Sequence, residues 1–135
     1  MNTKSVRIIL ILLGIFHVAN GLTMLVAPDY WYISVPGVTH TGPINHHFLA
    51  DIGLAFIASG AGLLMALRTG PRAATFALAG ATWPALHAVM HVWEWISHGI
   101  PADPQQIVSD AVGVMLISFA GLWLAWLWAR REGVV

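Results

Sequence analysis

Residues 6–27 read VRIILILLGIFHVANGLTMLVA. Apart from Arg7, His17, Asn20 and Thr23, every side chain in this run is apolar or absent. A helix needs roughly 20 residues to cross the ~30 Å hydrocarbon core of a bilayer, and this run supplies them. A strand of a membrane barrel would be shorter and would alternate apolar with polar residues; this run does neither. Three more runs of the same kind follow, at residues 45–67, 73–97 and 104–129. The expectation is an all-α fold in which residues 1–135 form a single transmembrane domain. It is an integral membrane four-helix bundle, up-down-up-down, with spans at about 6–27, 45–67, 73–97 and 104–129 and an outer loop at 28–44.

Composition agrees. Apolar residues make up 58% of the chain and charged residues 9%, against roughly 25% charged in soluble domains. The formal net charge is zero, so no nucleic-acid partner is expected. The absence of cysteine excludes disulfides, thiolate metal sites and cysteine-ligated iron–sulfur clusters. Between the runs stand turn formers: Pro28, Pro36, Gly37, Gly42 and Pro43, then Gly70-Pro71, then Gly99, Pro101 and Pro104. Asp103 reads as a helix N-cap with Pro104 at the first helical position and Gln106 completing a capping box.

All six basic residues fall on one side of a four-pass layout: Lys4, Arg7, Arg68, Arg72, Arg130 and Arg131. The positive-inside rule makes that side cytoplasmic, with both termini on it. Tyr30, Trp31, Tyr32, Trp93 and Trp95 suit an outer aromatic belt, and Trp123, Trp126 and Trp128 an inner one. A cleaved signal peptide at residues 1–27 is disfavoured, because the apolar stretch is long for one and carries His17 and Asn20. The expected location is a bacterial inner membrane. Small residues recur on the spans: Ala77, Ala81 and Ala85; Gly53, Ala58 and Gly62; Gly113 and Gly121. Close helix packing explains them without chemistry.

The ionisable residues within the spans carry the functional signal, because intramembrane charge is costly and usually faces the interior. They are His17, His46, His47, Asp51, His87, His91, Glu94 and Asp110. At 100° per residue, His87, His91 and Glu94 share one helix face, and so do His47 and Asp51. At ~1.5 Å per residue, Asp51, His91 and Asp110 lie ~9–11 Å below the outer helix ends, and His17 and His87 ~15–17 Å. The polar residues therefore gather in the outer half, facing the periplasm.

Imidazole and carboxylate donors on facing helices suit a transition metal such as iron, copper or zinc. His47, Asp51, His87, His91, Glu94 and Asp110 are the candidate ligands, with a membrane oxidoreductase acting on a small or lipid-soluble substrate as the leading expectation. An electron-transfer protein with a b-type haem between His17 and His87 is the first alternative, with Gly14, Gly21 and Gly80 giving the macrocycle room. A non-enzymatic transporter, proton relay or accessory subunit is the second, with other membrane subunits as partners beside the bilayer. Asn20 is placed to orient His17. His46 reads as an interface residue, and His40 and His98 as solvated loop residues. Pro84 leaves the Gly80 carbonyl without its helical donor and should kink the third span. The aromatic stretch in residues 28–44 suggests a lid over the cluster.

Overall fold

The computed structural model describes residues 1–135. All the regular structure is helical: α1 (Thr3–Val26), α2 (Pro28–Ser34), α3 (His46–Leu64), α4 (Pro71–His98), α5 (Pro104–Val108) and α6 (Ile117–Arg131). A 3₁₀ turn, Met65–Leu67, extends α3, and a π-helical segment, Ser109–Leu116, joins α5 to α6 without a break. Four long apolar helices thus form a bundle, each long enough to cross a membrane: Thr3–Val26, His46–Leu67, Pro71–His98 and Pro104–Arg131. These bounds match the runs read from the sequence to within a few residues.

Local chemistry sets the ends. Asn2 accepts from the Ser5 N–H at 2.8 Å, and Asn45 from the Phe48 N–H at 3.1 Å, each giving an orphan N-terminal donor a partner. Asp103 caps α5 by accepting from the Gln105 N–H at 2.9 Å. The expected capping box does not form; the Gln106 side chain instead lies against Gly37. A Cβ on Gly37 would fall 2.5 Å from Gln106 Cδ, and its φ of +87° also calls for glycine. This contact ties the long first loop to the fourth span.

Packing is governed by backbone approach. On α1 and α3, Gly14 faces Gly60 and Gly21 faces Gly53, so the two helices run in opposite directions. A Cβ at Gly60 would stand 2.7 Å from the Gly14 carbonyl oxygen, and one at Gly53 3.0 Å from that of Gly21. Gly62 of α3 meets Gly80 of α4 in the same way. Of the small residues noted above, Ala77, Ala81 and Ala85 are buried, whereas Ala58 and Gly113 face outward. The larger core cluster lies at the end that carries the basic residues, with Val6, Leu10, Leu63, Ala77, Leu124 and Trp128 at its centre. A smaller one, Met24, Leu49 and Phe56, lies toward the other end, with Trp31 and Trp83 against it. Trp128 is fully buried, donates to Glu132 at 3.0 Å and lies under the Arg7 guanidinium, so it belongs to the core and not to an aromatic belt. Trp31 and Trp95 also turn inward, while Tyr30, Trp93, Trp123 and Trp126 stay exposed.

The fourth span closes the bundle unevenly. Its α6 half packs on both α4 and α1, whereas the π segment packs on α4. Large apolar side chains such as Leu12, Phe16, Leu54, Leu86 and Leu116 cover the outside, as expected of helices surrounded by lipid.

Candidate polar site at the acidic end

Asp29, Asp51, Glu94, Asp103 and Asp110 belong to the end of the bundle opposite the six basic residues. Two separate groups form there. On α3, His47 Nε2 stands 3.6 Å from Asp51 Oδ2, one turn apart, with side chains 90% and 59% exposed. Between α4 and the fourth span, His91, Glu94 and Asp110 come together. The expectation that all six candidate ligands converge is therefore corrected: α3 turns His47 and Asp51 outward, away from the α4 group. No three His, Asp or Glu side chains come together at the spacing that would hold a metal ion.

The second group is the better built. The Asp110 side chain is 9% exposed, and its Oδ1 lies 3.3 Å from His91 Nδ1. Glu94 Oε2 lies 3.9 Å from the same nitrogen. That nitrogen is buried, and neither oxygen is aligned with it as a hydrogen bond. The other Asp110 oxygen accepts from Trp95 Nε1 at 3.2 Å. Asp110 lies within a π-helical segment, Ser109–Leu116. Such segments interrupt the α-helical phase and recur at functional sites. Above the group opens a cleft of about 540 Å³, lined by His40, Glu94, Trp95, His98, Gln106 and Asp110 among others. His40 and His98, expected to be merely solvated, line it. Sequence reading missed Trp95 as a partner of Asp110 because its position near a helix end suggested a belt residue.

Deeper in the bundle the polar path gives way to rings. His87 packs edge-on to His91 at 4.8 Å and lies flat on Trp83 at 5.3 Å. Phe56 contacts His87 and stacks on His17 at 5.5 Å. His17 is 3% exposed, and its Nδ1 has no hydrogen-bond partner. Two expectations meet difficulty here. Haem would need an open slot between His17 and His87, yet Phe56 touches both rings. The glycines meant to give it room, Gly14, Gly21 and Gly80, are filled by neighbouring helices. A proton relay from His87 to His17 would have to pass Phe56, which offers no atom to carry a proton. Asn20 does not orient His17; its Oδ1 accepts from Trp31 Nε1 at 2.8 Å.

The first loop is folded back over this end. Asp29 Oδ1 pairs with His46 Nε2 at 3.0 Å, and Tyr32 donates to the Gly42 carbonyl at 2.5 Å. Trp31 closes over the Met24–Phe56 cluster, and His40 reaches the cleft.

No protein-family model, curated protein or solved structure matches the chain.

Proposed function

We propose that this chain is an integral membrane protein that admits a small cation from the outer, periplasmic side of a bacterial inner membrane. The cation enters the acidic cleft and rests on His91, Asp110 and Glu94. The observation that supports the reading best is the Asp110 carboxylate, buried beside the His91 imidazole with no Lys or Arg at that end. A buried carboxylate needs a positive partner or its own proton. The imidazole is that partner only when protonated, so the pair has room in its charge balance for a cation. The cytoplasmic placement of both termini belongs to the same proposal and rests on the basic residues.

The cation is an inorganic divalent ion or a proton. Imidazole with two carboxylates suits a hard or borderline metal ion such as iron or zinc better than a soft one. Glu94, half exposed at the edge of the cleft, is the donor that a small rotation would add. Oxidoreductase chemistry would require such an ion to be redox-active, and the geometry lends it no separate support.

Elemental analysis and an absorption spectrum of protein purified in detergent without chelators test the proposal, followed by calorimetric titration with Zn²⁺ and Mn²⁺. The expected result is saturable binding, weakened at least ~10-fold (~1.4 kcal/mol) in both Asp110→Asn and His91→Ala. If no metal binds, protonation of the pair is read by infrared difference spectroscopy of the carboxyl band between acid and neutral pH. Absence of both signals in folded protein would sink the proposal, and a Soret band would revive the haem alternative.

A further inference from the structure

A second face of the bundle, between α3 and α4, carries two features that the cleft does not use. The first is a groove of about 600 Å³. Ala55, Ala58, Gly62 and Ala79 give it a floor of small side chains, and Phe76 and Trp83 form its walls. Its depth follows from the Gly62–Gly80 approach, where a Cβ on Gly62 would stand 2.8 Å from the opposite Cα. The volume lies in the ~300–1,000 Å³ range of small-molecule sites.

The second feature is the His47–Asp51 pair. Asp51 stands one turn before Ala55 on the same helix face, one turn beyond the groove, whose lining includes neither Asp51 nor His47. It lies five residues into α3, ~7.5 Å below the helix start. On the membrane reading, which this inference shares with the proposed function, that depth is within the acyl region. A charge there is costly unless it is partnered. The one ion-pair partner in the chain is His47, which is itself the more exposed of the two.

We infer that this face binds a single-chain amphiphile whose head is cationic or donates hydrogen bonds, a long-chain amine or alcohol. The head rests on Asp51 and His47, and the tail lies in the groove. Charge selects the head: Asp51 attracts an ammonium or hydroxyl group and repels a carboxylate. Shape admits the tail: Ala55, Ala58, Gly62 and Ala79 carry no large side chain that would fill the groove.

The test uses full-length protein in phosphatidylcholine vesicles with a long-chain primary amine carrying a diazirine in its tail. A carboxylic acid of the same length and the same diazirine is the comparison. Light-induced labelling is titrated and its sites mapped by mass spectrometry. The amine should label residues lining the groove at a concentration at least ~10-fold below that needed by the acid, a difference of ~1.4 kcal/mol. Asp51→Asn should erase that preference. Ala58→Leu, at an outward-facing floor position, should remove groove labelling by both probes. Asp110→Asn should label as wild type does, which separates this site from the cleft. Equal labelling by amine and acid in wild type, an unlabelled groove, or full labelling of Ala58→Leu would each overturn the inference. Cross-linking of two protein copies through this face, without labelling by the amphiphile, would overturn it in favour of a second copy as the occupant. Protein that fails to enter vesicles would remove the membrane reading itself, and both proposals with it.

Discussion

Pro84 and Ser59 form one device on two helices. Proline has no N–H to give the carbonyl four residues back, so Gly80 loses its helical donor. Ser59 Oγ from α3 donates to that carbonyl at 2.5 Å. The sequence predicts the orphan carbonyl; the identity of its new partner depends on the α3–α4 register, which no local pattern states. Ser59→Ala is expected to lower stability by ~0.6 kcal/mol, the average for hydrogen bonds between membrane helices, and by no more than ~1.7 kcal/mol. Adding Pro84→Ala restores an N–H donor and should recover part of the loss, so the double variant is less destabilised than the sum of the two single changes. Denaturant titrations of the four proteins in mixed micelles measure this, and strict additivity would show that the two residues act independently. The candidate site was partly legible in the same way. His91, Glu94 and Asp110 were found from spacing and depth, because both follow from helix geometry. His47 and Asp51 were grouped with them wrongly. Depth alone does not say whether a residue faces the bundle or the surrounding lipid.

The π-helical segment is the element that sequence reading did not foresee. The run Ser109–Leu116 contains no residue type that marks a change of helical period. On a regular α-helix Asp110 would be in phase with Trp128; one extra residue shifts the phase by about 100°, so Asp110 sits off that line, beside His91 of α4, while α6 keeps Leu124, Ala125 and Trp128 in the core. Deleting Gly113, which faces open space, should remove the extra residue that the π turn absorbs and return the segment to α-helical geometry, with both flanks keeping their present facing. Asp110 would then stay toward His91 and the α6 core in place. The deletion variant is expected to fold, by circular dichroism and thermal melting, and to keep cation binding, unlike Asp110→Asn. Lost binding would show that the carboxylate needs the π geometry itself. The α1–α3 pair is the opposite case, since its contacts leave no slack. Gly60→Ala should cost ~1–3 kcal/mol, the usual range for overpacking, whereas Gly113→Ala should cost nothing measurable. Thermal stability of the two variants side by side checks the contrast.

The arrangement of charge over the whole molecule was the most legible property, because it needs only the order of spans and loops. Arg7 bonds to the Ala66 and Leu67 carbonyls at 2.9 and 3.2 Å, and Arg131 reaches the Met1 carbonyl at 3.0 Å. These contacts join both termini and the α3–α4 turn into one basic end. The chain has no cysteine, so single cysteines report sidedness without background. Thr69→Cys and Val135→Cys should react with a membrane-impermeant thiol reagent from the cytoplasmic side, and Ala102→Cys from the other; the reverse pattern would invert the proposed orientation. The separation of charge has one more consequence. In the proposed orientation Asp110 lies ~9 Å below the start of its span, about a third of the way through a ~30 Å core. A monovalent cation reaching it from outside an energised, inside-negative membrane descends about a third of the potential, worth ~0.7 kcal/mol per 100 mV. Occupancy of the cleft should therefore rise about threefold per 100 mV, and a divalent ion should respond twice as steeply in free energy. A site that looks like a static receptor would act as a voltmeter, filling when the membrane is charged and emptying when it is not.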